Sequence, residues 1–242
     1  MNTFNIHHAK QWAKTSDSFV AQLVKALWLK IKAIEMPNIP FVFKLLYFVH
    51  IVLKQTISDV LRITYYTPLF KSRLKNNPKQ LYLYGGLPVV IGSLDIVMGD
   101  KVRLAAMTTI SGRAVGQNIS QLIIGDNVGI GWRTSISVGK TIIIGNNVRI
   151  AGDCYLAGYP GHPLNAKLRA LGKPDEENQV GDITIKDDAW LATGVKVMPG
   201  VTIGRGTIVA AGSVVTKDLP SFVLAAGVPA KVIKSIKEES HG

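Results

Sequence analysis

The sequence of 242 residues contains a single cysteine, and this scarcity limits the chemistry open to it. One cysteine excludes a disulfide framework and any zinc site of the CxxC type. Long apolar runs are also missing, because no stretch reaches the about 18 uncharged apolar residues that a bilayer-spanning helix needs. The first residues lack a basic segment ahead of an apolar core, so no secretion signal is expected. What remains is a chain with 47 % hydrophobic residues, long enough to bury a large core.

Glycine is absent from residues 1–84, although the chain contains 23 glycines. The same segment is poor in acids, since its 12 Lys and Arg face only Asp17, Glu35 and Asp59. The formal net charge of the whole chain is +12, so most of the basic surplus lies in this first third. The shift in composition predicts a domain boundary at Tyr84, which ends a basic, apolar, helical region over residues 1–84.

Helical periodicity in this region suggests contact with a membrane. Apolar residues recur every three or four positions, as on one helical face, before Pro37 and Pro40 end the pattern. Residues 41–53 then form a nearly unbroken apolar run. As a helix, this run would span roughly 20 Å against a hydrocarbon core of about 30 Å, so we expect it to lie in a membrane surface without crossing. The periodic residues are Phe19, Leu23, Leu27, Ile31 and Ile34.

A basic cluster without acids follows the apolar run. Each Lys or Arg close to an anionic leaflet contributes about 1 kcal/mol to binding. The segment therefore predicts a cytoplasmic protein that lies peripherally on the inner face of the cytoplasmic membrane. The alternative is that these helices pack only within the protein or on a neighbouring subunit. No motif for nucleic acid occurs, so no nucleic-acid partner is expected. The cluster consists of Lys71, Arg73, Lys75 and Lys79.

The glycine-containing part of the chain repeats an aliphatic residue every six positions. This period fits neither an α-helix nor an unbroken strand. It suits short strands joined by tight turns, so that three hexads close one triangular coil and stacked coils bury an aliphatic column. Small or β-branched residues stand four positions after the aliphatics of the clearest run. The aliphatics are Met98, Leu104, Ile110, Ile124, Ile130, Ile136, Ile144, Ile150, Leu156, Ile185, Leu191, Val197, Ile203, Val209 and Val215, and the small residues are Ala189, Val195, Val201, Thr207 and Ser213.

One long interruption of the repeat carries a candidate catalytic residue. The repeat region, residues 85–220, is broken by an excursion over 157–184 and is followed by a C-terminal segment, residues 221–242. Long excursions from a rigid solenoid are usually functional. His162 lies in this one, and an imidazole suits general acid–base catalysis near neutral pH. Cys154 stands four positions after Ile150, at the small inward position, which predicts a buried structural thiol and not a nucleophile.

Several segments resemble a known enzyme family. Gly161-His162-Pro163, followed by Arg169 and the run over 185–234, resembles the sugar O-acetyltransferases of the galactoside and maltose acetyltransferase family, over roughly residues 120–237. The stretch that begins at Tyr84-Gly85-Gly86 is more similar to acetyltransferases of bacterial surface-polysaccharide synthesis, of which lipopolysaccharide is one product. The resemblance implies a mainly β fold, a left-handed parallel β-helix of hexapeptide repeats with an N-terminal α-helical region. It also implies a homotrimer with active sites between subunits.

The resemblance further implies transfer of the acetyl group from acetyl-CoA, as co-substrate, to a sugar hydroxyl in a ternary complex. His162 would act as general base, and the backbone N–H of Thr193 would stabilise the oxyanion. Trp190 would line the pantetheine arm. No metal is expected, because a zinc enzyme of this fold needs three histidines and the repeat has one. The other implied CoA contacts are Ala211, Thr216, Lys217, Lys231 and Lys234.

The acceptor is less defined than the donor. Residues 131–139 lack the Asn and Asp that bind the sugar in galactoside-type enzymes, and Asn165 stands where maltose-type members often have Asp. Candidate acceptor contacts are Asn165, Arg169 and Arg133. Two alternatives remain open: an N-acetyltransferase of a nucleotide-linked amino sugar, and a non-catalytic, membrane-associated trimeric scaffold.

Overall fold

The computed structural model describes residues 6–116 and 119–236, and it divides into two compact units, Met1–Leu53 and Lys54–Gly242. This division falls earlier than the composition boundary at Tyr84. The reason is that residues 54–84, although free of glycine, contribute Phe70, Leu81 and Leu83 to the same buried core as the hexad aliphatics. Composition therefore marks where the glycine-bearing turns begin, whereas packing marks where the folded core begins.

The first unit is helical, as the periodicity predicts. Helix α1 covers Ile6–Thr15 and α2 covers Phe19–Lys32. Ser18 caps α2, because its side-chain oxygen accepts a hydrogen bond from the N–H of Ala21 at 3.2 Å. The periodic face of α2, with Leu23 and Leu27, remains exposed in the structure.

Helix α3 is longer than expected. It covers Pro40–Leu61 and continues through a π-helical turn, Arg62–Tyr66, into α4, Thr67–Lys71. No helix breaker follows Leu53 until Pro68, so the polar residues beyond the apolar run extend the helix. At 1.5 Å per residue α3 alone spans roughly 33 Å, longer than the roughly 20 Å expected for residues 41–53. By length and composition, Pro40–Lys71 could cross a membrane.

The second unit is a three-sided coil of short strands. From β1 to β17, consecutive strands join the three sheets in rotation, and every pairing is parallel except that of the last two strands, β18 and β19. Sheet I contains β1 Tyr82–Tyr84, β4 Arg103–Ala105, β7 Gly129–Ile130, β10 Arg149–Ile150, β13 Trp190–Leu191, β16 Ile208–Val209, β18 Val223–Gly227 and β19 Ala230–Ser235. Sheet II contains β2 Val89–Ile91, β5 Thr109–Gly112, β8 Ser135–Val138, β11 Tyr155–Ala157, β14 Lys196–Val197 and β17 Val214–Val215. Sheet III contains β3 Leu94–Met98, β6 Ser120–Ile124, β9 Thr141–Ile144, β12 Ile183–Ile185 and β15 Thr202–Ile203.

The hexad aliphatics form the core of this coil. Ile150, Leu191 and Val209 lie opposite one another in adjacent strands of sheet I and are almost fully buried. The small residues four positions later, such as Ala189 and Ser213, are buried as well. The prediction that a six-residue period builds triangular coils around an inward aliphatic column is confirmed.

The edge between sheets III and I is held by a ladder of polar side chains. Asn127, Asn147 and Asp188 stack there with φ values of 54°, 58° and 63°. Asn and Asp tolerate this left-handed conformation better than other residues with side chains. The amide of Asn127 donates to the Asn147 oxygen, and that of Asn147 donates to Asp188, both at 2.9 Å. The ladder runs regularly along this edge, and the excursion over residues 157–184 leaves the coil at a different edge.

The excursion emerges at the edge between sheets II and III. The chain leaves β11 at Ala157 and returns at β12, so the predicted interruption is confirmed. Inside it lie the short helix α5, Ala166–Ala170, and a 3-10 turn, Glu177–Gln179. The C-terminal segment adds the β18–β19 hairpin to the end of sheet I.

Candidate functional site

A buried ion pair attaches the excursion to the coil. Arg113, just after β5, extends its guanidinium to Asp175, with Nε 2.7 Å from Oδ2, and each side chain is only 5 % exposed. A second nitrogen, Nη2, donates to the Asp175 carbonyl at 2.9 Å. The remaining arm reaches Glu177 at 2.6 Å, and Lys140 contacts the same carboxylate at 2.8 Å. The second half of the excursion is therefore fastened to the II/III edge.

The electrostatics favour the charged forms of this cluster. Burial opposes the charge of Arg113, but the hydrogen bond to Glu177 and the field of Asp175 outweigh it and raise the pKa of the guanidinium. The pKa of Glu177 is lowered by its hydrogen bonds to Lys140 and Arg113. Both shifts favour the charged forms of Arg113 and Glu177.

His162 lies exposed in the first half of the excursion. It follows Gly161, whose φ of 80° is in the left-handed region, and it makes no side-chain hydrogen bond to any described residue. The next residue, Pro163, is buried, and its carbonyl accepts a hydrogen bond from Arg169 at 3.0 Å. The imidazole therefore faces solvent, and hydrogen bonds from Arg169 hold the turn that follows it.

Two of the predicted acceptor contacts take part in building the excursion itself. The side-chain oxygen of Asn165 accepts the N–H of Lys167 at 2.9 Å and that of Leu168 at 3.2 Å, which caps α5. Arg169 donates from one nitrogen to the carbonyls of Pro163 and Leu164. The third candidate lies elsewhere, as described next.

Arg133 lies at the edge between sheets I and II and is held by a neighbouring coil. Its guanidinium forms a bidentate ion pair with Asp153, at 2.6 and 2.8 Å. The pair is exposed, and the hydrogen bond raises the pKa of Arg133 and lowers that of Asp153. Nothing described connects this arginine with the excursion.

Thr193 and Ala211 lie at the same I/II edge in consecutive coils. The N–H of Gly212, next to Ala211, donates to the Thr193 carbonyl at 2.9 Å. Among the described residues, none accepts a hydrogen bond from the N–H of Thr193, and the residue is exposed. Trp190, on the outer face of sheet I, is 49 % exposed. These positions leave a free backbone donor beside an accessible indole ring.

The remaining predicted cofactor contacts are distributed over two other places. Thr216 and Lys217 lie at the II/III edge of the last coil. Lys231 and Lys234 lie exposed on β19 at the end of sheet I. No hydrogen bond or ion pair within 6–116 and 119–236 joins the excursion to Thr193. A single chain thus presents the predicted site as two halves on different edges of the coil.

Sequence reasoning missed the anchor of the excursion. Arg113 and Asp175 are far apart in sequence, and neither belongs to a recognisable motif. A signal does exist, since the hexad register also breaks between Gly112 and Ser120, two coils away from the long excursion at the same edge. Cys154 behaves as predicted: it is buried, its thiol contacts the Ala192 carbonyl at 3.3 Å, and burial raises its pKa.

Comparison with known proteins identifies the repeat. Residues 182–217 match the family described as bacterial transferase hexapeptide (six repeats), over the same coils that carry the clearest aliphatic period. Residues 182–217 therefore carry hexapeptide repeats of the bacterial transferase type. The N-acyltransferase AntD from Bacillus cereus, solved in complex with dTDP and 3-hydroxybutyryl-CoA, superposes with a TM-score of 0.56 at 19 % identity. That match covers 71 % of this chain and 88 % of AntD, and it supports the fold.

Proteins similar to this chain in sequence include named acetyltransferases. Galactoside O-acetyltransferase of Escherichia coli (strain K12) is 40 % identical over 119 residues, which cover 49 % of this chain and 56 % of that enzyme. The putative acetyltransferase YJL218W of Saccharomyces cerevisiae is 40 % identical over 122 residues, 50 % of this chain and 59 % of that protein. The chain thus spans little more than half the length of these relatives.

Proposed function

We propose that the protein is an acetyl-CoA-dependent O-acetyltransferase that acts on a hydroxyl of a surface-polysaccharide or lipid-linked sugar. The observation that carries this proposal is His162, an exposed imidazole on an excursion that a buried ion pair fastens to the coil. The 40 % identity to a galactoside O-acetyltransferase supports the same chemistry.

The reaction follows from the two groups that the chain offers. His162 takes the proton of the acceptor hydroxyl while its oxygen attacks the thioester carbonyl. The N–H of Thr193 donates a hydrogen bond to the oxyanion that forms, and a rigid edge does so without reorganisation. The carbon–sulfur bond then breaks, and His162 returns the proton to the thiolate. The products are an acetate ester and CoA with a free thiol, and no acyl-enzyme is needed.

The proposed donor site runs over exposed parts of the coil. Trp190 would contact the pantetheine arm, with Ala211 nearby along the I/II edge. The ammonium groups of Lys231 and Lys234, on the exposed β19, would meet the phosphates of the nucleotide end. AntD, which has the same fold, binds 3-hydroxybutyryl-CoA. Thr216 and Lys217 would complete the donor contacts.

A homotrimer would unite the two halves of the site. Because His162 and Thr193 lie on different edges of one chain, a neighbouring copy would bring the excursion of one subunit against the I/II edge of the next. The outer face of sheet III offers a surface for such a neighbour, since Val97, Ile123 and Ile143 form an exposed aliphatic column there. We assign the coil the left-handed sense of its family.

The proposed location is the cytoplasmic face of the inner membrane. Support comes from α3, in which no residue is buried, and from the basic cluster that follows. Within that cluster Lys75 pairs with Asp95 at 3.0 Å, whereas Arg73 and Lys79 make no described side-chain contact. The protein should float with anionic vesicles and less with zwitterionic ones, and Arg73→Glu with Lys79→Glu should reduce flotation. Extraction by alkaline carbonate separates a peripheral α3 from one that crosses the bilayer.

The test of the function is transfer of labelled acetyl from acetyl-CoA to surface glycan isolated from cells that lack the gene. A label that mild alkali removes is an ester and supports O-transfer. A label that survives alkali is an amide and indicates N-acetylation of an amino sugar. Neither binding of acetyl-CoA nor incorporation of label would indicate a non-catalytic scaffold and overturn the proposal.

A further inference from the structure

The outer face of sheet I carries a groove of about 490 Å³ that the proposed chemistry does not use, apart from Trp190 at one end. One outward-facing column crosses it, in which residues of successive coils lie directly opposite one another. The members, in order along the coil axis, are Tyr82, Arg103, Gly129, Arg149 and Trp190.

The groove exists because of the order of residues in this column. Gly129 has no side chain, so it leaves a gap between Arg103 above and Arg149 below. Gly131 and Ala151, two positions along their strands, keep the floor low. Neighbouring strands are about 4.8 Å apart, so the Cα atoms of Arg103 and Arg149 are roughly 10 Å apart and those of Tyr82 and Trp190 are roughly 19 Å apart.

The aromatic end of the groove is rigidly built. The rings of Tyr82 and Tyr84 stack with centroids 6.4 Å apart, and Trp132 packs edge-on against Tyr84 at 5.0 Å. The Tyr84 hydroxyl donates to the Ile130 carbonyl at 2.8 Å. A Cβ atom at Gly85 would lie 2.1 Å from the Trp132 ring, so glycine is needed there for the tryptophan to reach its place.

The groove is positively charged. Arg103 is exposed, and its guanidinium makes no hydrogen bond or ion pair with a described residue. The guanidinium of Arg149 is oriented by the carbonyl and side-chain oxygens of Asn127, and Arg62 lies 4.4 Å above the Tyr82 ring. Arg62 is itself paired with Asp59 at 3.2 Å, and no carboxylate is among the described residues that line the groove.

We propose that this groove binds an acidic segment of the acceptor glycan, with a sugar face stacked on Tyr82 and a carboxylate or phosphate between Arg103 and Arg149. Aromatic rings offer flat apolar faces to sugar rings, and guanidinium groups bind planar oxyanions through paired hydrogen bonds. The roughly 14 Å from Tyr82 to Arg149 fits several linked sugar units better than a single ring. The inference rests on the proposed function, because it specifies the acceptor of that reaction.

The experiment measures binding without any acetyl donor. Purified protein is applied to immobilised oligosaccharides that contain uronic acid, sialic acid or phosphate groups, alongside neutral oligosaccharides of equal length, and the best binder is measured by calorimetry. We expect acidic members to bind and neutral ones not to. Arg103→Ala should weaken binding roughly tenfold or more, because it removes a charge-assisted hydrogen bond without breaking any described contact. Gly129→Val should fill the gap between the arginines and weaken binding. The coil has room for this side chain, because a Cβ atom at position 129 meets only the flexible Arg149 side chain.

Lys196→Ala is the matched control, because it removes one exposed cation from the outer face of sheet II. Failure of all acidic oligosaccharides to bind, or equal loss with Lys196→Ala, would overturn the proposal. A change of oligomeric mass in Arg103→Ala would also overturn it, because the groove would then be a subunit contact. So would a loss of CoA affinity in Arg103→Ala equal to its loss of glycan affinity, because the groove would then be part of the donor site. His162→Ala should bind the glycan normally, so a failed groove remains distinguishable from failed chemistry.

Discussion

Arg113 and Asp175 are separated by 62 positions in the chain, yet their side chains meet at 2.7 Å with almost no access to solvent. One residue follows a strand of sheet II, and the other lies in the excursion that carries His162. The contact fastens the second half of the excursion to the coil through a buried charge pair. This anchor is an interaction that the hexapeptide repeat does not supply.

Replacement of Arg113 by Met should release the excursion. Removing one partner of a buried pair leaves the other charge uncompensated, which costs about 3–5 kcal/mol. We expect faster hydrogen exchange over residues 158–182 and a lower transfer rate, measured by exchange mass spectrometry and acetyl transfer.

Arg133→Met is the control for this change, because it breaks an ion pair whose members are largely exposed. Exposed pairs contribute about 1 kcal/mol or less. The double variant Arg113→Met with Asp175→Leu should recover folding stability, since it removes both buried charges. Unchanged exchange over 158–182 in the single variant would contradict the anchoring role.

The stability of the excursion should fall in acid. The hydrogen bonds of Lys140 and Arg113 hold the pKa of Glu177 below its ordinary value of 4.5 in the folded protein. A carboxylate with a lowered folded pKa contributes stability above its unfolded pKa and loses it as pH falls through the folded value. The rate at which an acid-active protease cleaves within residues 158–182 should therefore increase below about pH 4.5. Glu177→Gln should flatten this dependence, and an unaltered profile in that variant would assign the effect to other carboxylates.

Cys154→Ala should transfer acetyl at the wild-type rate. The thiol is buried, its pKa is raised by that burial, and it lies at an inward hexad position, so it is a poor nucleophile. In the native protein it should resist a maleimide reagent that labels it fully in denaturant. Loss of transfer in a folded Cys154→Ala protein would point to an acyl-enzyme instead of direct transfer.

The sequence predicted the coil well because a period of six has few physical solutions. Leu191 and Ile203 had to be inward once the period was recognised, and the structure buries both. The length of α3 was underestimated, because the apolar run ends at Leu53 whereas the helix continues to Leu61. The ion pair of Arg113 could not be found, since nothing local links residues 62 positions apart. His162 stands out as a candidate because glycine, proline and the broken register all mark its loop, and its catalytic role stays a prediction.

Leu191→Ala should destabilise the second unit. Leu191 is fully buried between Ile150 and Val209 in successive coils, and such truncations cost about 2–5 kcal/mol. Denaturant unfolding measures the loss. The exposed Lys196→Ala, on the next strand, should leave the unfolding free energy nearly unchanged. Equal losses in the two variants would contradict the assignment of the hexad aliphatics to the core.

The most direct test of the account is the rate of acetyl transfer by His162→Ala, at saturating acetyl-CoA and with folding verified by thermal unfolding. Loss of a general base lowers a rate by about 100- to 10,000-fold, and we expect a loss in that range without loss of acetyl-CoA binding. His50→Ala, in α3, is the matched control and should transfer normally. Transfer by folded His162→Ala at near the wild-type rate would contradict the central claim that the excursion carries the catalytic base.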